Sequence, residues 1–110
     1  MTRSQTLDAV RAHIAAGKVR ISEHGRQELS DDDIDLLPII EGIASAVIVE
    51  DYPDYAKGPC VLCLQHDEKG EPIHILWGLA ANAPNVATLI TAYRPDPKRW
   101  MEDWITRRKR

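Results

Sequence analysis

The chain has 110 residues, of which 44% are hydrophobic, and its formal net charge is −3. This length suits one domain with a buried core and excludes a second one, so residues 1–110 are predicted to form a single domain. The uncharged stretches are too short to span a bilayer, and residues 1–20 lack the order of a signal peptide. We therefore expect a cytoplasmic protein with no membrane partner.

The charged residues are unevenly distributed along the chain. Four aspartates lie between positions 31 and 35, whereas six of the last thirteen residues are Lys or Arg. The acidic balance argues against binding nucleic acid through a general positive field, because phosphate contacts need clustered cations. The basic C-terminal end is the part of the chain that can meet phosphate. The structural alternative is a solvated acidic face and a frayed basic tail.

The first helix is predicted from hydrophobic spacing and from its caps. Leu7, Val10 and Ile14 recur at helical spacing after Ser4, which is a candidate N-cap. A glycine follows Ala16 and supplies the left-handed residue that ends such a helix. The sequence therefore predicts a helix from about Ser4 to Ala16.

Two shorter helices are predicted next. Residues 19–21 form a short extended piece, and Ser22 can cap a brief and unusually polar helix. Ser30 followed by Asp33 resembles a capping box, in which acidic residues of the first turn complement the helix dipole. This pattern predicts that another helix begins at Ser30, and Pro38 after its first turn predicts a kink or a fresh start.

The remainder of the chain predicts strands. Runs of β-branched and apolar residues separated by turn residues occupy residues 45–50, 60–66, 72–78 and 86–93. Their short connections predict an antiparallel meander, because parallel strands need long crossovers. Asp96 and Pro97 then open a short C-terminal helix bearing Trp100 and Trp104. The predicted fold class is α+β, with N-terminal helices packed on a four-stranded antiparallel meander sheet.

A pair of cysteines and a histidine suggest half of a zinc site. Cys60 and Cys63 are followed by His66 within one predicted strand. Side chains three apart on a strand point to opposite faces, so the two thiols cannot share a metal unless this segment is a knuckle. We predict reduced, buried cysteines, no metal and no cofactor. Zinc binding is the alternative, and metal analysis of the protein tests it.

Seven polar residues are the best candidates for chemistry. The predicted catalytic set is His24, Arg26, His74 and Tyr93, and the predicted substrate-binding set is Arg94, Lys98 and Arg99. Cleaving RNA without a metal needs a base for the ribose 2′-hydroxyl, an acid for the leaving 5′-oxygen and cations for the transition state. An imidazole titrates near neutral pH, and a guanidinium holds a phosphate through paired hydrogen bonds.

Each candidate also has a structural interpretation. A histidine on a short helix is often a capping or surface residue, and His74 alternates with apolar neighbours, which places it on the opposite face of its strand. Tyr93 can be an aromatic residue at the edge of the core with a solvated hydroxyl. The three tryptophans can stack on bases, yet in so small a domain we expect them in the core.

Several short segments occur in a characteristic order. They are residues 16–20, 22–26, 30–34, 49–53, 58–59, 72–74 and 91–97, followed by Trp100. Together they resemble a family of short bacterial domains of unknown function (DUF 4258 type), which is related to the RelE, ParE and MqsR toxins. The resemblance implies a RelE-like fold whose concave sheet face and rim bind RNA. By position, it implies that the matching polar residues are His24, Arg26, His74, Tyr93 and Arg94.

The resemblance also implies a function and partners. We expect a toxin-like, metal-independent endoribonuclease of a toxin–antitoxin system, with RNA or the ribosome as its target and an antitoxin protein that blocks the RNA face. The rival hypothesis is a non-catalytic relative that uses the same groove as a protein-binding module, which the acidic balance favours. The expected oligomeric state is a monomer or a weak dimer.

Overall fold

The computed structural model describes residues 3–109, which form three α-helices and a five-stranded mixed sheet. The helices are α1 (Gln5–Ala15), α2 (Glu23–Asp31) and α3 (Leu36–Glu41), and a 3₁₀ turn spans Gly42–Ser45. The strands are β1 (Val19–Ile21), β2 (Val47–Tyr52), β3 (Cys60–His66), β4 (Pro72–Gly78) and β5 (Ala87–Tyr93). The predicted α+β class is confirmed.

The first two helices begin at the predicted caps. The Ser4 hydroxyl accepts a hydrogen bond from the Leu7 amide at 3.0 Å, and the Ser22 hydroxyl accepts one from the Gly25 amide at 2.9 Å. Each bond satisfies an amide that has no partner within its helix. Gly17 follows α1 with a φ of 75°, the left-handed conformation expected at its end.

The predicted helix start at Ser30 is wrong. Helix α2 continues to Asp31, and α3 begins only after Asp35, whose side chain makes no capping bond. Beyond α2 the chain turns at Asp33, whose φ is 52°, and the Ile34 amide donates to the Leu29 carbonyl at 2.8 Å. A left-handed residue with such a bond ends a helix, so this turn replaces the helix start predicted at Ser30.

The predicted four-stranded antiparallel sheet is also incomplete. The strand order is β1-β5-β4-β3-β2, in which β2 to β5 form the expected meander. Strand β1, predicted only as an extended piece, pairs in parallel with β5 along residues 19–21 and 87–89. A strand of three residues is too short to carry a periodic pattern, and its partner lies far along the chain, so no local signal predicts the pairing.

The predicted C-terminal helix is wrong as well. Residues 94–109, called the tail here, form turns and a single β-bridge between Trp100 and Arg107. The Asp103 carboxylate accepts hydrogen bonds from the Ile105 and Thr106 amides at 2.9 Å. An Asp that bonds nearby amides in this way stabilises a turn at the expense of a helix. A helix this short also needs tertiary packing to persist, and here the tail packs as turns instead.

The two faces of the sheet have different covers. The helices pack on one face, where Trp77, Ile73, Ile75, Val61 and Leu89 are fully buried. The tail packs on the opposite face. It places the ring of Trp100, which is only 3% exposed, against β4. The tail therefore completes the domain and surrounds the polar residues described next.

Candidate functional site

A tyrosine and a histidine meet on the face of the sheet that the tail covers. Tyr93 is the last residue of β5 and lies directly opposite His74 of β4. The Tyr93 hydroxyl is 3.0 Å from Nδ1 of His74, and the two rings meet edge to face with centroids 5.2 Å apart. The antiparallel register therefore brings together two of the four predicted catalytic residues.

The surroundings of His74 determine which nitrogen carries its proton. Its ring is fully buried, and Nε2 lies 2.6 Å from the carbonyl oxygen of Trp104. A carbonyl oxygen only accepts, so Nε2 donates its proton there and the neutral ring keeps a lone pair on Nδ1. The Tyr93 hydroxyl must then donate to Nδ1. Tyr93 and His74 are thus linked by a hydrogen bond of defined direction.

Two further contacts hold the tail over this pair. The Trp100 ring meets the His74 ring edge to face at 4.5 Å, and the Arg107 guanidinium lies 4.6 Å above the Trp100 ring. Arg107 also pairs with Glu50 of β2, with 2.7 Å between Nη2 and Oε1. These contacts connect the tail to β2 and β4, so the position of Arg107 depends on the sheet.

The buried pair is neutral near neutral pH. Burial lowers the pKa of His74, although the hydrogen bond to the Trp104 carbonyl opposes that change. Burial raises the pKa of Tyr93, and the nearby Arg107 cation opposes that change. Tyr93 therefore keeps its proton while His74 keeps its lone pair.

The lowered pKa of His74 predicts a pH dependence of stability. In the unfolded chain His74 titrates at about 6.5, so below that pH the unfolded state binds a proton that the native state resists. The stabilisation is complete above the unfolded pKa and is lost as the pH falls through the folded pKa. When the pH is lowered from about 7.5 to about 5, the free energy of unfolding measured in urea should fall more for the wild type than for His74→Gln. Equal losses would contradict this expectation.

A hollow beside Tyr93 is rich in arginine. It has a volume of about 410 Å³ and is lined by Tyr93, Arg94, Asp96, Arg99, Trp100 and Arg107; we call it the Tyr93 hollow. Arg94 is fixed there through Asp67, with 3.1 Å between Nη1 and Oδ2. Three arginines and one aspartate line it beside the tyrosine, and guanidinium groups suit a phosphate group.

The other two predicted catalytic residues lie elsewhere. His24 and Arg26 are exposed on α2 and line a separate hollow together with Glu23, Gln27 and Ser30. Nε2 of His24 is 3.2 Å from Oε1 of Glu28. That same Glu28 oxygen accepts the Ala92 amide of β5 at 3.0 Å. The structure therefore divides the four predicted catalytic residues into two pairs and does not bring α2 into the Tyr93 hollow.

The predicted substrate-binding residues lie in or beside a second basic surface. A cleft of about 510 Å³ in the tail is lined by Lys98, Arg99, Arg107, Arg108 and Lys109; we call it the tail cleft. Arg99 and Arg107 line both the tail cleft and the Tyr93 hollow. Individual roles for Arg107, Glu50 and Asp96 were not apparent from the sequence, where the only signal was the density of cations near the C-terminus.

The cysteines do not share a site. Cys60 lies between Tyr52 and Gly78 in the sheet, whereas Cys63 belongs to the helix-covered core. Within residues 3–109, no group of three His, Cys, Asp or Glu side chains is positioned to hold a metal ion. The opposite orientation predicted for the two thiols is confirmed.

The buried thiols should be unreactive. Burial raises the pKa of Cys63 to about 12 and also raises that of Cys60. Because the thiolate is the reactive form, we expect a thiol reagent at about pH 8 to modify Cys63 roughly 10³-fold more slowly in the native protein than in urea. If the Cys63→Ser variant and the wild type were both modified rapidly, the reacting thiol would be Cys60. That result would contradict the burial of Cys60.

Comparison with known proteins identifies one family. The family described as a domain of unknown function (DUF4258) matches residues 21–94. The match contains α2 to β5, with Tyr93 and His74, and it ends at Arg94, so the rest of the tail lies outside it. No curated protein and no solved structure matches the chain. Among residues 3–109, no helix combines the length and the apolar composition needed to cross a membrane.

Proposed function

We propose that this chain, which belongs to the family described as a domain of unknown function (DUF4258), is a toxin-like domain that cleaves RNA without a metal ion. One observation carries the proposal: the hydrogen-bonded pair of Tyr93 and His74 adjoins a hollow lined by three arginines. The pair can move a proton, and the arginines can hold the phosphate that is attacked. The resemblance to a domain family that is related to the RelE, ParE and MqsR toxins supports a toxin-like role.

In this mechanism Tyr93 and His74 act together as the base. The ribose 2′-hydroxyl gives its proton to the Tyr93 oxygen while the Tyr93 proton moves to Nδ1 of His74. The Trp104 carbonyl holds the opposite side of the imidazole, as the orienting group does in other base relays. His74 does not reach the RNA, because it is fully buried. Tyr93 is the group that touches the substrate.

The arginines stabilise the charge that develops on the phosphate. As the 2′-oxygen attacks phosphorus and the bond to the 5′-oxygen breaks, Arg94, Arg99 and Arg107 can donate to the phosphate oxygens. The leaving 5′-oxygen takes a proton from water, and His74 returns its proton to solvent through Tyr93. The products carry a 2′,3′-cyclic phosphate and a 5′-hydroxyl. His24 and Arg26 take no part in this proton transfer.

The first experiment is incubation of the purified chain with mixed RNA in EDTA, followed by analysis of the product ends. We expect fragments that end in a 2′,3′-cyclic phosphate, because the attacking group is the neighbouring hydroxyl. Fragments with 5′-phosphate ends would contradict the mechanism. Activity abolished by EDTA would contradict its independence of metal.

The partners follow from the same proposal. RNA, free or on the ribosome, is the target in the cytoplasm, and an antitoxin protein would silence the domain by covering the Tyr93 hollow. Expression without such a partner should arrest growth, and Tyr93→Phe should relieve the arrest. Equal growth arrest by the wild type and by Tyr93→Phe would mean that toxicity does not depend on this site.

A second candidate function is protein binding without catalysis. A groove of about 470 Å³ favours it, and its apolar lining consists of Ile14, Val19, Ile21, Leu36 and Ile40. The neighbouring Leu37 side chain is 66% exposed. Apolar lining with a polar rim suits a peptide or protein partner. A chain that neither binds nor cleaves RNA would favour this candidate.

A further inference from the structure

We propose that the tail cleft is a second phosphate site continuous with the Tyr93 hollow, so that the ligand is a single nucleic-acid strand with at least two backbone phosphates. This inference rests on the proposed function, because it assigns the substrate of the same site. It goes further by giving the tail cleft a separate role. A mononucleotide would fill the Tyr93 hollow alone.

The lining of the tail cleft consists of cationic residues. All five lining residues are Lys or Arg, and the backbone holds them together. The Arg108 amide donates to the Arg99 carbonyl at 2.8 Å, and Nε of Arg108 donates to the Pro97 carbonyl at 2.7 Å. These bonds connect Arg108 to Pro97 and Arg99, at the other end of the tail. Like charges held this closely repel one another, and a bound anion would remove that repulsion.

Most of these cations are available for a ligand. Within residues 3–109, the ion pair that involves a residue of the tail cleft is the one between Arg107 and Glu50. Lys98, Arg99 and Lys109 are exposed. The overall charge of −3 provides no general positive field elsewhere. Attraction for phosphate is therefore concentrated at this end of the domain.

Shared arginines connect the two sites. Arg99 and Arg107 line both the tail cleft and the Tyr93 hollow, so the two spaces are neighbours. A strand whose attacked phosphate lies beside Tyr93 has its next phosphate close by along the backbone. The tail cleft and the Tyr93 hollow together have six lining cations, which is only the lower end of the about 6–10 phosphate contacts of a protein that binds duplex DNA. A short single strand fits this number better.

The test measures binding by calorimetry in EDTA, using 5′-phosphorylated 2′-O-methyl oligouridylates with one, two or three phosphates. The methyl group blocks attack, so binding is measured without cleavage. The affinity should rise by about tenfold or more from one phosphate to two, since each charged contact contributes that much. A third phosphate should add little. Equal affinities along the series would overturn the inference.

A double variant locates the second phosphate. Lys98 and Lys109 are exposed and line only the tail cleft, so Lys98→Gln/Lys109→Gln should fold normally, which circular dichroism checks. The two-phosphate strand should then bind about as weakly as the one-phosphate ligand, whose affinity should not change. The salt slope of log K should fall by about 0.7, the contribution of the one phosphate that is no longer neutralised on a single strand. Lys18→Gln/Lys57→Gln is the matched control and should change neither quantity.

The outcomes separate the two proposals. Tighter binding of the longer strand without cleavage of natural RNA would leave the second site in place and overturn the nuclease. Cleavage with no dependence on Lys98 and Lys109 would overturn the second site alone. Inorganic tripolyphosphate is the last arm: if it binds as tightly as the two-phosphate strand, the cleft recognises phosphate without the nucleoside, and the assignment to a nucleic-acid strand falls.

Discussion

Replacing Tyr93 with Phe should lower the rate of RNA cleavage by about 10²–10⁴-fold, the range that positioned proton transfer contributes. The substitution removes one oxygen, which is the atom that contacts Nδ1 of His74 and that takes the substrate proton in the proposed mechanism. The arginines that hold the phosphate remain, so the affinity for a non-cleavable strand should change little. Single-turnover cleavage and calorimetry measure the two quantities separately.

Controls distinguish this effect from damage to the fold. Tyr55→Phe removes the same oxygen from an exposed tyrosine in the loop between β2 and β3, and it should leave the rate unchanged. His24→Ala should also retain cleavage, because His24 lies on α2 outside the Tyr93 hollow. If His24→Ala abolished cleavage while Tyr93→Phe retained it, the catalytic residues would lie on α2, and the proton relay through Tyr93 and His74 would be refuted.

The pH profile of cleavage should depend on His74. The relay works only while Nδ1 carries a lone pair, so the rate should fall as the pH is lowered through the pKa of His74. Burial holds that pKa below its ordinary value of 6.5, so cleavage should persist at pH values where an exposed histidine would already be protonated. His74→Gln should remove this dependence of the rate on pH, whereas a purely structural role would leave the profile unchanged.

Replacing Trp100 with Ala should lower the free energy of unfolding by about 3–5 kcal/mol, as loss of a large buried aromatic side chain does. Trp100 is 3% exposed, packs edge to face on His74 and lies beneath the Arg107 guanidinium. Its loss removes a buried contact between the tail and the sheet. We expect RNA binding to fall as well, because Arg99 and Arg107 are positioned by the same tail. Urea unfolding and calorimetry measure both effects.

The matched control is the other tryptophan of the tail. The hydrogen bond of His74 to Trp104 goes to the backbone carbonyl, and Trp104 is half-buried. Trp104→Ala keeps that carbonyl and should therefore cost clearly less stability than Trp100→Ala. If the two variants lost the same stability, the packing of Trp100 on His74 would not be what holds the tail.

Parts of the fold were predictable because their signals are local. Ser4 and Ser22 cap helices at the predicted positions, and β3 and β4 have the predicted limits. Hydroxyl caps act over three residues, and strand patterns alternate over two, so a single sequence contains them in full. The start predicted at Ser30 failed because Ser30 lies in the last turn of α2, which ends in a turn at Asp33 with a φ of 52°.

The site was predicted only in part, because some of the contacts that form it join segments that are distant in the sequence. The residue types of His74, Tyr93 and Arg94 indicated acid–base and phosphate chemistry, and the antiparallel register placed the first two opposite each other. Nothing local indicated that His74 is buried by the tail, nor that the short helix with His24 lies outside the Tyr93 hollow. A helix was predicted in the tail because Asp96 and Pro97 are typical of a helix start.

The sequence by itself determined the α+β class, the meander of β2 to β5, two helix caps and the chemical types available to the site. Only the tertiary structure decided that β1 joins β5 in parallel, that the tail covers the sheet face, and that Arg107 reaches Glu50 across 57 positions of the chain. Caps, turns and strand alternation depend on neighbouring residues and are therefore present in the sequence. Contacts between distant segments depend on which surfaces bury best against each other, and that is known only once all the elements are packed.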